Sequence, residues 1–143
     1  MIIKFFEKNG VLDPDGIKPG VYIIKLGKVG NTQSMKPLYI GESYSMVSRC
    51  GRHLYELYKD PSYLGLKKEH TNDSLLCLSF EVYEVLENQT RGLSREARDA
   101  ILKDHESKAL LAQIEPTLTQ TRTSDHVTRN RSKRVEEYLK ELR

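Results

Sequence analysis

Two short runs of β-branched and aromatic residues constrain this chain most: VYIIKL at 21–26 and PLYIG at 37–41. Between them stand Gly27, Gly30, Asn31 and Ser34, residues that favour turns over strands. Two strands joined this way predict an antiparallel hairpin with a long connection. The residues just upstream, 10–20, are also turn-rich, with Gly10, Asp13, Pro14, Asp15, Gly16, Pro19 and Gly20.

Residues 45–58 read as a helix whose apolar residues are Met46, Val47, Leu54, Leu57 and Tyr58. Gly51 weakens it and Pro61 lies beyond its end. Residues 60–74 read as a polar loop. A third strand is predicted over 75–85. There Leu76, Leu78, Phe80 and Val82 fall on one face, and Cys77, Ser79, Glu81 and Tyr83 on the other. Residues 94–114 predict a long helix with Ser94 as N-cap and Pro116 as its stop. Its apolar stripe is Ala97, Ile101, Leu102, Leu110, Leu111 and Ile114. A last helix over about 131–142 carries Val135, Tyr138, Leu139 and Leu142 on one face. The order predicts an α/β chain of the α+β type: an antiparallel sheet of about three strands flanked by helices. At 143 residues it reads as one domain, with a core over about 18–120 and a basic C-terminal helix over about 129–142.

Hydrophobic residues make up 38% and charged residues 30%, the balance of a soluble globular protein. No apolar run approaches the roughly 18 residues of a membrane span. The N-terminus lacks the apolar stretch of a secretory signal, which points to a cytoplasmic protein. Cys50 and Cys77 lack metal-like spacing, and His53, His70, His105 and His126 are scattered, so no zinc motif emerges. The net charge is +3 and the pI about 8.8, values that permit nucleic-acid binding without demanding it. Two segments are basic: 49–53, and the tail with Arg122, Arg129, Arg131, Lys133 and Arg134. The tail either tracks a phosphate backbone or forms a solvated face. The apolar side of its helix can dock on the core or on a second copy in a homodimer.

The hairpin holds the residues that carry chemistry. Gly20-Val21-Tyr22 opens the first strand and Tyr39-Ile40-Gly41 closes the second. Arg49 follows, early in the next helix; further on come Glu106, the pair Leu110-Leu111, and Pro116. Over residues 18–120 this pattern resembles the GIY-YIG endonuclease family. Three features depart from it. The loop between Tyr22 and Tyr39 is long, one extra residue separates Glu106 from its aliphatic pair, and Thr119-Gln120 stand where the family has an asparagine.

The resemblance implies a metal-dependent endonuclease that hydrolyses DNA phosphodiester bonds, in repair, restriction or a mobile element. It implies that Glu106 holds one Mg²⁺ or Mn²⁺, a hard cation suited to carboxylate oxygen. It implies that Arg49 grips phosphate, a role that suits its planar charged fork. It implies that Tyr22 acts as general base and that Tyr39 positions the nucleophile or phosphate. A cation-lined pocket would favour the ionised phenol. Arg52, His53, Thr119 and Gln120 are further candidates for phosphate contact. The runner-up reading is a catalytically inactive module of the same kind that only binds nucleic acid. A weaker one is a phosphate-handling enzyme acting on a small substrate.

Overall fold

The computed structural model describes residues 1–113 and 125–142, with the side chains of the last helix described from residue 131. The strands are β1 (Ile2–Phe5), β2 (Glu7–Lys8), β3 (Val11–Leu12), β4 (Gly20–Lys28), β5 (Lys36–Ser43) and β6 (Leu76–Val85). The helices are α1 (Met46–Lys59), α2 (Lys68–Thr71), α3 (Glu87–Thr90), α4 (Arg95–Gln113) and α5 (Asp125–Leu142). Short 3-10 turns cover Pro14–Ile17, Thr32–Ser34 and Pro61–Leu64.

The hairpin forms as β4 and β5, and β6 pairs antiparallel on the other side of β4. The sheet is not the expected three-stranded antiparallel one, however. It has four strands in the order β1-β6-β4-β5, and β1 runs parallel to β6. β2 and β3 form a separate small hairpin. The first strand escapes a sequence reading because its four residues pair with residues 77–80. A parallel partner must lie across a long connection, so no local pattern announces it. Residues 60–74 are also more ordered than a polar loop: they hold a 3-10 turn and α2, and they bury Leu64 and Leu66.

Both faces of the sheet are covered. On one face Tyr22, Ile24, Leu26, Tyr39, Leu78 and Phe80 pack with Met46, Cys50 and Leu57 of α1 and with Val135 and Leu139 of α5. On the other, Val21, Ile23 and Ile40 pack against Leu102 and Ala109 of α4. The register between β4 and β5 shifts between Ile24 and Lys25, leaving Leu38 as an extra residue. Such a bulge re-aims side chains, and Leu38 and Tyr39 both enter the same core cluster.

The helix faces differ in detail from the sequence reading. In α1 the buried stripe is Met46, Cys50, His53 and Leu57, while Tyr58 is 88% exposed. In α4 Leu102 and Ala109 are buried, whereas Ala97 and Leu111 face solvent. The apolar face of α5 forms as expected, and Tyr138 donates a 2.6 Å hydrogen bond to the Pro37 carbonyl. Arg131, expected in a solvent-facing basic tail, instead lies on that buried face. Ile114, Pro116, Thr119, Gln120 and Arg122 lie outside the described residues. Among those described, no helix is long and apolar enough to cross a membrane.

Truncating a fully buried side chain of the sheet should cost far more than truncating an apolar residue on the outside of α4. Phe80→Ala should lose about 3–5 kcal/mol and Leu111→Ala about 0.5 kcal/mol or less, as read from urea unfolding midpoints.

Candidate functional site

β4 and β5 set Tyr22 opposite Gly41, and Tyr39 opposite Ile24. Tyr22 and Tyr39 therefore project from neighbouring strands toward one face. Their rings stack at 6.2 Å with an interplanar angle of 11°. Gly41 is what lets them sit there. A Cβ at that position would collide with the Tyr22 hydroxyl and stand 3.0 Å from the Tyr39 ring. Any side chain larger than hydrogen at 41 displaces the phenol.

α1 closes this face with His53. The Tyr22 hydroxyl lies 2.6 Å from His53 Nε2, and His53 Nδ1 lies 2.8 Å from the Tyr63 hydroxyl. A neutral imidazole can accept at one nitrogen and donate at the other, so it satisfies both phenols. His53 is 2% exposed and its pKa is pushed down to about 4, chiefly by burial and further by the positive charges of Arg49 and Arg131. His53, a candidate for phosphate contact or else a surface residue, is neither exposed nor in the cleft but a buried link between two tyrosines. It lies seven residues after Met46, on the buried stripe of α1. The 3.6-residue periodicity carried that signal. Tyr63 went unread because nothing in the local sequence distinguishes it from a loop tyrosine.

Tyr22 and Tyr39 line one cleft of about 390 Å³ together with Arg49, Glu106, Gly41, Glu42, Arg98 and Asp99. β5 is the edge strand of the sheet, so its Gly41–Ser43 end stays open to this cleft. Glu106 reaches it because it shares a helical face with Leu102 and Ala109, which anchor α4 on the sheet. The extra residue before Leu110 does not turn Glu106 away. Arg52 is exposed and does not line the cleft. His105 pairs with Glu84 at 2.7 Å and lies outside it as well.

Burial governs the electrostatics. It raises the Tyr22 phenol far above its ordinary value, and the Arg49 guanidinium beside it offsets only part of the effect. Tyr39 is pushed up to about 12, first by burial and then by Tyr63, against the pull of Arg131 and Arg49. The expectation that a cation-lined pocket would ionise these phenols is therefore corrected: loss of water outweighs the arginines. Glu106 is raised to about 7 by burial and by the negative charge of Glu42, whose backbone N–H is in reach of its carboxylate. Glu42 is raised in turn by burial and by Asp99. Among the described residues, no three His, Cys, Asp or Glu side chains converge as a metal cage. Glu106 with Glu42 still offers the oxygen donors that a hydrated Mg²⁺ uses.

No protein-family model, curated protein or solved structure matches the chain.

Two outcomes follow from this geometry. Gly41→Ala should destabilise the fold by about 1–3 kcal/mol through overpacking, with loss of the Tyr22–His53 contact visible in the His53 ring resonances. His53 holds its proton less well when folded than when unfolded. Stability should therefore fall as pH drops from the ordinary imidazole range toward about 4. His53→Gln should flatten that part of a melting-temperature-versus-pH curve.

Proposed function

We propose that this chain is a metal-dependent DNA endonuclease of the GIY-YIG kind, hydrolysing phosphodiester bonds in the cleft beside β5. One observation carries the reading: Tyr22, Tyr39, Arg49 and Glu106 come from four separate elements and line a single cleft. Chance strand tyrosines and surface charges would have no reason to converge.

Each residue has work that fits its surroundings. Arg49 lies at the cleft with a permanent charge and binds the scissile phosphate. Tyr39, its ring held between Tyr22, His53 and Arg131, orients the phosphate or the attacking water. Tyr22 is too buried to act as a free phenolate. Its oxygen instead takes a proton from the attacking water as its own proton passes to His53 Nε2, 2.6 Å away. His53 rests unprotonated at neutral pH, so that nitrogen is open to receive it. The divalent cation would be held by Glu106, with Glu42 the next carboxylate in the cleft. When bound, Mg²⁺ or Mn²⁺ supplies Lewis-acid stabilisation for the leaving oxygen. Glu106 must shed its proton to serve as ligand, so cation and proton compete there.

The test is cleavage of supercoiled plasmid, linear duplex, single strand and flap DNA with Mg²⁺ or Mn²⁺, against an EDTA control. Metal-dependent cutting is expected, with Glu106→Gln losing at least about 100-fold. At limiting metal, activity should rise with pH through about 7, and more metal should move that rise to lower pH. Glu106→Gln should also melt higher than wild type at pH 8. The folded state raises this carboxyl's pKa, so the wild type loses stability as pH climbs toward about 7, and the amide does not. Full activity in Glu106→Gln would sink the metal role. Absence of cutting with steeply salt-dependent DNA binding would favour the catalytically silent module.

A further inference from the structure

Arg131 is a charged residue buried to 2% exposure. It comes from α5, downstream of the segment that resembles a nuclease. Its guanidinium lies 5.3 Å from the centre of the Tyr39 ring and 5.6 Å from that of Tyr63. Its Nη1 donates a 2.6 Å hydrogen bond to the Tyr63 carbonyl. A guanidinium gives up strong hydration when buried, and a ring face returns part of that only when the cation lies over it. Around it α5 is seated firmly: Val135 and Leu139 enter the core, Glu141 pairs with Lys36, and Tyr138 bonds to Pro37. Gly65, with a positive φ of 81°, packs against the backbone at Arg131, where a Cβ would clash. The helix thus delivers one cation to a fixed place behind the tyrosines.

We infer that Arg131 is a positioning residue of the cleft, and that α5 completes the site by pinning Tyr39 and the outer end of the Tyr22–His53–Tyr63 chain. This rests on the nuclease reading for its catalytic meaning, but not for its geometry. The groups that face His53 are Tyr22 from β4, Tyr39 from β5, Tyr63 from the turn after α1, Arg49 from α1 itself and Arg131 from α5. Three are neutral phenols and two are cations. His53 can take the Tyr22 proton at Nε2 only while Nδ1 is held toward Tyr63, which fixes the ring's tautomer and orientation. Arg131 holds Tyr63 through its carbonyl where Nδ1 can meet the hydroxyl, and its charge close behind the ring is what the His53 titration senses.

The test compares wild type, Arg131→Met and Arg131→Lys. Methionine keeps the volume and removes the charge, a change that buried sites commonly tolerate. The first readout is the His53 ring titration, followed by NMR on the free protein. In Arg131→Met it should move up by on the order of one pH unit, and Arg131→Lys should keep it near the wild-type position. The second readout is cleavage at saturating metal. Arg131→Met should lose about tenfold in kcat with KM little changed, and Arg131→Lys should restore part of the loss. Folding is checked by the chemical-shift dispersion of the same NMR samples. If methionine does not fold, Arg131→Lys against Arg131→Gln carries the same comparison. A folded charge-free variant whose His53 titrates where the wild type's does overturns the inference, whatever its cleavage rate. A wild type that cuts no DNA overturns the nuclease reading instead, and the titration still decides the coupling between Arg131 and His53.

Discussion

The hydrogen bond between the Tyr22 hydroxyl and His53 Nε2 is the contact on which the rest of this structure depends. A buried phenol without a partner would cost on the order of 1–3 kcal/mol. Making the bond requires three separate parts of the chain to agree. Gly41 must have no side chain, or the hydroxyl has no room. α1 must be in the register that turns His53 inward with Met46, Cys50 and Leu57. Tyr63 must then meet the second ring nitrogen, because the imidazole is itself buried. The tripeptide around Gly41 is thus a steric condition for a polar chain running through the core. The bulge at Leu38 belongs to the same arrangement, since it lets Leu38 and Tyr39 enter one cluster.

Two ionisable groups, Glu106 in the cleft and His53 buried behind it, have their pKa values moved in opposite senses. Burial and two arginines hold the proton off His53. Burial and a neighbouring carboxylate hold the proton on Glu106. At neutral pH the raised carboxyl of Glu106 disfavours folding, whereas His53 is neutral folded or unfolded. A fold selected for stability alone would replace Glu106 with a neutral residue of the same shape. Perturbed titratable groups of this kind concentrate at functional sites, and under the nuclease reading proposed above a cation at Glu106 would favour its ionised form.

The two faces of the sheet divide this work. The face under α1 and α5 carries the tyrosines, the histidine and Arg131. The face under α4 is an apolar layer of Val21, Ile23, Ile40, Leu102 and Ala109, and α4 brings Glu106 to the open end of β5. Because β5 is an edge strand, groups from both layers meet around it. At the cleft, Arg49 of α1 and Glu106 of α4, from opposite sides of the sheet, come together.

The sequence by itself determined the local elements. β-branched and aromatic runs named β4, β5 and β6, a turn-rich loop named the hairpin, and helical periodicity named α1, α4 and the face of α5. Tyr22, Tyr39, Arg49 and Glu106 stood out only through the resemblance of their surroundings to the GIY-YIG motifs, with Glu106 one residue off that pattern, and the fold brings all four to one cleft. Only the tertiary structure decided what those spacings could not encode. The parallel pairing of β1, the burial of Leu64 and Leu66, and the meeting of His53 with Tyr63 join residues distant in the chain or unmarked locally. Arg131 was misread for the same reason. A charge in a basic stretch has solvent as its default surroundings, and only the docking of α5 across Tyr39 and Tyr63 supplies a reason for it to be inside. The phenol ionisation likewise turned on how much water the fold excludes, and no residue list contains that quantity.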